Sequence, residues 1–328
     1  MSFLSLRRSE TVIALVLIAA MVLIGLINPA FWSLSNLFSL ARSNVIVGLM
    51  ALGVLVVMIS GGIDVSFPAF AVAAMYLTIQ AMLAWDWHGV IGPFALASAI
   101  GLALGLVNAF FVSGLRMIPL IVTLGTAAAV RGGLLGLVGT SQINIDRMPK
   151  ELIGFASTTL IELPGPDGTH FGLSAMIVAY LLAAVLVHLF LTRTLLGRGV
   201  FALGSAAEAA RRVGFNPTTI VFAVYGLAGA LAGFAGLLHG SMIWLANPRD
   251  FVGVELDVIA AVVLGGASIF GGRGSVLGTM LGVFMLVMVS NSLILMHIAT
   301  TWQRIVVGGI IITATTVTAL RDRRQIAQ

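Results

Sequence analysis

Most hydrogen-bonding side chains of this 328-residue chain that could act on a solute lie inside long apolar runs: Asn44, Gln80, Asn108, Thr123, Thr126, Arg131, His239, Asn291, Gln303 and Arg304. Polar groups at membrane depth are costly and normally face a bundle interior or a watery cavity, so this set fits a path that matches the hydroxyls of a polar solute. Arg131 and Arg304 rank first as functional or pairing residues, whereas His188 and His239 read as packing residues. Catalysis has little to stand on. No histidine set has metal-ligand spacing, no nucleophile stands beside a base, and the absence of cysteine excludes disulfides, thiolate metal sites and thiol nucleophiles. The only lysine, Lys150, falls between Pro149 and Glu151, so there is no Gly-Lys-Ser/Thr loop to hold phosphates and magnesium. The chain is therefore expected to carry no metal or cofactor of its own and not to be an enzyme.

Three further groups of residues have spacing with mechanical meaning. Between Leu191 and Thr219 the chain turns basic and helical, with Arg193, Arg198, Glu208, Arg211 and Arg212 in one short connection on which a partner can push. Gly61 and Gly62 should end one helix, with Asp64 or Ser66 capping the next and Pro68 in its first turn. Gly265, Gly266, Gly271, Gly272, Arg273 and Gly274 mark a second broken or tightly turned region. Breaks at membrane depth are tolerated where backbone is buried in protein or lines a cavity, so both clusters point to a hinge or gate, with capping as the alternative role for Asp64. Asp64 and Arg273 are expected to meet as an ion pair. Glu255 and Asp257, at the outer start of a segment, either contact a partner or cap a helix.

The elements that position these residues follow from composition. With 59% hydrophobic and 9% charged residues and a mean hydropathy of +1.12, the chain lies far from a soluble fold, whose charged share is roughly 25%. It reads as an all-α polytopic membrane protein, a single transmembrane domain over 1–328, because the alternating pattern of barrel strands is missing. Ten spans are expected, near 11–27, 43–60, 66–84, 91–113, 118–139, 172–191, 218–245, 254–270, 275–296 and 301–320. The first, behind Arg7 and Arg8, runs into Asn28-Pro29 and reads as a span, not a cleaved leader. With both termini cytoplasmic, eleven basic residues fall inside and four outside, which satisfies the positive-inside rule and leaves no exposed basic domain for nucleic acid. The outer connection Thr140 to Phe171 reads as a folded-back loop or surface helix, either a lid or a receiving surface. Glycines four apart, such as Gly101 with Gly105 and Gly229 with Gly233, read as close helix-packing faces.

The blocks Gly61-Gly62-Ile63-Asp64-Val65-Ser66, Glu255 to Gly266 and Gly271 to Thr279 resemble the ribose-type permeases of bacterial ATP-binding-cassette sugar importers, over essentially the whole chain. The stretch Glu208-Ala209-Ala210-Arg211-Arg212-Val213-Gly214 is similar to the coupling loop of importer permeases, although Asn216-Pro217 follows sooner than in the familiar form. The resemblance implies the importer permease fold. It also implies an ATPase subunit that binds ATP and magnesium and grips that loop, a periplasmic sugar-binding protein, a second permease copy, and residence in the inner membrane among lipid. Branched-chain amino-acid permeases share the later glycine block and are the alternative class. An ion-coupled carrier would need mid-span carboxylates, which are missing.

Overall fold

The computed structural model describes residues 8–164, 170–298, 302, 305, 308 and 309. Helices α1 (Arg8–Ile27), α2 (Leu34–Ile59), α3 (Phe67–Ala84), α4 (Ile91–Ala109) and α5 (Pro119–Gly133) are followed by a short α6 (Lys150–Ala156) and by strands β1 (Thr159–Pro164) and β2 (His170–Ser174). Then come α7 (Met176–Arg193), α8 (Leu195–Ser205), α9 (Ala207–Arg212), α10 (Pro217–Ile243), α11 (Val254–Leu264) and α12 (Val276–Leu295). Eight helical segments among the described residues are long and apolar enough to cross a bilayer: α1 to α5, α7, α10 and α12. Two of them, α4 and α5, gain length from a final, more widely wound turn, Phe110–Gly114 and Leu134–Val138. The chain is a polytopic α-helical membrane protein.

At the centre stand α2 and α10. All residues of α2 from Asn44 to Ile59 except Val47 are buried, and α10 packs on α4, α3 and α2. Glycine makes that packing possible. A Cβ on Gly229 would lie 2.1 Å from the Gly101 carbonyl oxygen, one on Gly233 2.1 Å from that of Ala97, and one on Gly236 2.0 Å from that of Ala71. Backbones therefore touch directly, which maximises dispersion where lipid provides no hydrophobic drive between helices. The glycine-spaced faces read from the sequence are these contacts.

Three helices end by the same device. Gly61, Gly214 and Gly266 have φ of +85°, +92° and +88°, the left-handed turn that costs glycine nothing. In each, the glycine N–H bonds the carbonyl three residues back and the next N–H reaches five back: Gly62 to Val57 at 3.1 Å, Phe215 to Ala210 at 3.0 Å and Ala267 to Val262 at 3.2 Å. Helix starts are equally explicit. The Asn216 side chain accepts from the Thr218 amide at 2.9 Å with Pro217 in the first turn of α10, so the early Asn-Pro after Gly214 is the cap of the next span.

Several expectations need correction. The 254–270 span is a helix only over Val254–Leu264; eleven residues rise about 16 Å, half of a hydrocarbon core of about 30 Å, and the rest is irregular backbone. The second span begins at Leu34 instead of 43, because Ser33 caps a helix whose first turns carry Asn36 and Arg42. Arg42 is accordingly not in a loop: its guanidinium donates to the Met242 carbonyl at 2.6 Å. The connection from Thr140 to Phe171, read as a folded-back loop or surface helix, holds the short α6 and, with the residues just after it, the antiparallel hairpin β1–β2. Most of the 301–320 segment, with Gln303 and Arg304, lies outside the described residues.

Candidate functional site

The two helix breaks meet, and they meet the basic connection that carries α8 and α9. Gly272 donates its amide to the Ile59 carbonyl at 2.8 Å, joining the irregular 265–275 segment to the end of α2. The C-terminal turn of α8 lies against both: a Cβ on Gly204 would stand 1.9 Å from the Ile59 carbonyl oxygen and 2.6 Å from the Gly272 nitrogen. A Cβ on Gly271 would lie 2.8 Å from both Gly61 Cα and the Gly204 carbonyl oxygen. Three segments distant in sequence thus contact one another backbone to backbone, leaving no side chain to cushion a displacement. Helix α9 follows α8 at once. Its Ala210 is buried, while Glu208, Ala209, Arg211, Arg212 and Gly214 are exposed.

From the Gly61 turn a buried polar network leads to α4 and α5. Asp64 Oδ1 accepts from the Ser66 amide at 2.7 Å and the Ser66 hydroxyl at 2.5 Å, closing a turn before α3. Asn108 Nδ2 donates to Ser66 Oγ at 2.8 Å, and Thr126 Oγ1 donates to Asn108 Oδ1 at 2.7 Å. Thr123 Oγ1 reaches the Ile63 carbonyl at 3.3 Å. Asp64, Ser66, Asn108 and Thr123 are all buried, so these bonds form where each lost partner is expensive. Beside them, a Cβ on Gly62 would lie 2.8 Å from the Tyr225 hydroxyl, a buried group with no hydrogen-bond partner among the described residues.

Beyond that network α5 is lightly held. Only Val122 and Thr123 of its residues are buried, and nothing comes within 4 Å of a Cβ placed on Gly125, Gly132, Gly133 or Gly136. At its far end Arg131 donates to the carbonyls of Asp250 and Phe251, each at 3.1 Å. Phe251 has φ +60°, a strained conformation for a bulky residue. His239 Nε2 stands 3.6 Å from Asp250 Oδ2, and its ring lies against Phe251 with centroids 4.4 Å apart.

The sequence-derived residues therefore divide into groups. Gly61, Gly62, Gly271 and Gly272 converge, as do Asp64, Ser66, Asn108, Thr123 and Thr126. Arg131 serves the α10–α11 loop. Asn44 stands apart, its amide donating within α2 to the Leu40 carbonyl at 2.8 Å. Asn291 Oδ1 and Glu255 Oε2 are buried without a partner among the described residues. Asp64 does not pair with Arg273: its carboxylate is engaged by Ser66, while Arg273 is exposed. His239 packs as expected, but His188 lies exposed on α7. Sequence reasoning missed Gly204, Tyr225 and Glu10, whose Oε1 accepts from the α12 cap Ser275 at 2.5 Å. For Gly204 the available signal was its place at the end of the basic connection.

The family described as branched-chain amino acid transport system / permease component matches residues 36–315. The Ribose import permease protein RbsC of Escherichia coli (strain K12) is 31% identical over 315 residues, 94% of this chain and 92% of that protein. Its namesake from Bacillus subtilis (strain 168) is 33% identical over 93% of this chain and 90% of that protein. The Autoinducer 2 import system permease protein LsrC of Yersinia pseudotuberculosis serotype O:3 (strain YPIII) is 28% identical over 95% and 85%. No solved structure matches the chain. The match over residues 36–315 and the full-length similarity place the chain in the family of transport-system permease components that also bears the branched-chain amino acid name.

Proposed function

We propose that this chain is the membrane-spanning subunit of an ATP-binding-cassette importer that passes a monosaccharide or similar polyol across the bacterial plasma membrane. The observation that carries the reading is the meeting of α8 with both helix breaks at Gly204, which joins the cytoplasmic connection to the interior of the bundle. Full-length similarity to ribose-import permeases favours a sugar over the branched-chain amino acid of the family description.

In this reading both termini face the cytoplasm, and the chain is one transmembrane domain that works beside a second permease copy. A separate ATPase subunit binds ATP and magnesium and seats α9 through Glu208, Arg211 and Arg212. Closure of that subunit moves α8; the backbone contacts at Gly204 pass the movement to Gly61 and Gly271–Gly272; and the Asp64, Ser66 and Asn108 bonds carry it to Thr123 and Thr126 of the loosely held α5. Rigid backbone contact suits this task because packed interiors shift between discrete arrangements instead of deforming smoothly. Solute handed over by a periplasmic binding protein then passes along polar groups lining the exposed side of α5.

Co-purification of the tagged chain followed by an ATPase assay with candidate binding proteins and sugars tests the proposal. Glu208→Ala or Gly214→Val should release or uncouple the ATPase while leaving the membrane fold intact. Undiminished uptake in both variants, or stimulation by leucine and by no sugar, would count against it.

A further inference from the structure

An open cavity of about 400 Å³ lies where α3 ends and where the chain leaves α5, at the same end of the bundle as α6 and the hairpin. Its volume falls within the range of about 300–1,000 Å³ typical of small-ligand sites. The side chains of Gln80, Gln142 and Arg147 line it, and none of the three has a hydrogen bond or ion pair among the described residues.

The walls that carry these groups are fixed. Tyr76, 2% exposed, donates its hydroxyl to the Ser141 carbonyl at 2.6 Å. Ile143, 3% exposed, exchanges two backbone bonds of 3.0 Å with Ala246. The segment from Ser141 to Ile143 is thus pinned on one side to α3 and on the other to the loop after α10, and the three free side chains project from a framework already in place. Preorganisation of this kind lowers the ordering cost of binding.

The chemistry is specific to a class. Each carboxamide offers a donor and an acceptor, the Tyr76 oxygen keeps lone pairs after donating, and Arg147 adds a planar fork of donors. A neutral polyhydroxylated solute both donates and accepts at every hydroxyl, so it satisfies such a mixture. An anion would be served by donors alone and would leave the carboxamide oxygens facing it, and Asp146 beside Arg147 further weakens any net positive field. We infer that this cavity is a receiving subsite for a monosaccharide-sized polyol, occupied as the solute arrives at the outer mouth and before it enters the path along α5. The inference rests on the sugar-import reading and adds a place where the permease itself recognises the cargo.

Saturation-transfer NMR on the permease–ATPase complex in nanodiscs, without binding protein, tests it with D-ribose, D-glucose, L-leucine and inorganic phosphate as probes. At least one sugar should give a saturable signal. Gln142→Ala, which alters an exposed side chain, and Gln80→Leu with Arg147→Met should each weaken binding roughly tenfold, the loss of one or two hydrogen bonds, with unchanged melting temperature. A sugar signal that is absent or indifferent to all three substitutions would overturn the inference. So would phosphate or leucine binding that these substitutions abolish, which would mark an anion or amino-acid site instead. Failure of the import reading is separable: it would show as no nucleotide-driven uptake of either sugar by the unaltered complex with its binding protein.

Discussion

Substituting Gly204 by alanine tests whether the inner junction must be backbone against backbone. The new Cβ would lie 1.9 Å from the Ile59 carbonyl oxygen and 2.6 Å from the Gly272 nitrogen, whereas ordinary contact begins near 3.4 Å. Relief requires the end of α8 to withdraw by about 1.5 Å from α2, and neither obstacle is a flexible side chain that can step aside. The Gly272 to Ile59 bond, now 2.8 Å, occupies the same gap and would be distorted by the intrusion. Overpacking costs about 1–3 kcal/mol and an unmade buried hydrogen bond about 1–3 kcal/mol, so the variant should lose roughly 2–6 kcal/mol or relieve part of that by detaching α8. Thermal unfolding of the purified complex reads the first outcome, and the ratio of solute transported to ATP hydrolysed reads the second. Gly132→Ala is the control: nothing lies within 4 Å of its Cβ, and alanine there should be neutral or stabilising by about 0.5–1 kcal/mol. A Gly204→Ala complex with unchanged melting temperature and unchanged coupling would refute the reasoning.

Other consequences follow from the network and from the bundle end that carries α6 and the α10–α11 loop. Asn108→Ala should cost about 1–3 kcal/mol and couple to Thr126→Val by about 0.5–3 kcal/mol in a double-mutant cycle of thermal stability; additivity within about 0.5 kcal/mol would show that their 2.7 Å bond carries nothing. Arg131→Met should raise hydrogen exchange at 249–254, because both bonds that hold the strained Phe251 turn disappear; unchanged exchange there would dismiss the clamp. His88 Nδ1 lies 2.7 Å from Glu151 Oε1, which raises the His88 pKa above 6.5; Glu151 is held below 4.5 first by a backbone hydrogen bond and then by His88. The histidine's contribution is full below pH 6.5 and is lost as pH rises through its raised value, while the glutamate's is present above 4.5 and is lost in acid. Exchange protection of α6, corrected for intrinsic rates, should therefore be greatest in mildly acidic solution and fall toward alkaline pH, and Glu151→Gln should remove that dependence.

Much of this architecture was legible in the residues because membrane folding uses few signals. Apolar length marked the long helices, and the glycine pairs at 61–62 and 265–266 announced helix ends, where Gly61 and Gly266 take a backbone geometry that costs glycine nothing. The grouping of Asp64, Ser66, Asn108, Thr123 and Thr126 could be guessed as polar residues needing partners, but not as one network, since the bonds join residues 42 and 18 positions apart. Hydropathy failed where it had to fail. Val254–Leu264 is as apolar as a true span, and only its terminating glycines shorten it; the polar first turns of α2 are helical because Ser33 caps them and Arg42 finds a carbonyl across the bundle. The Asp64 to Arg273 pair was argued from charge and depth, yet a carboxylate with a serine two residues away has a nearer partner. For Gly204 the sequence offered only its place in the basic connection, since the opposing backbone of Ile59 and Gly272 lies far away in the chain.

The most direct test is solute uptake into proteoliposomes holding the purified chain, with and without its ATPase subunit, binding protein and internal ATP. Accumulation of a sugar only when all three are present, and its loss with a hydrolysis-deficient ATPase, is the result expected here. Equal sugar movement by the chain alone would contradict the claim that force enters through α8 and α9.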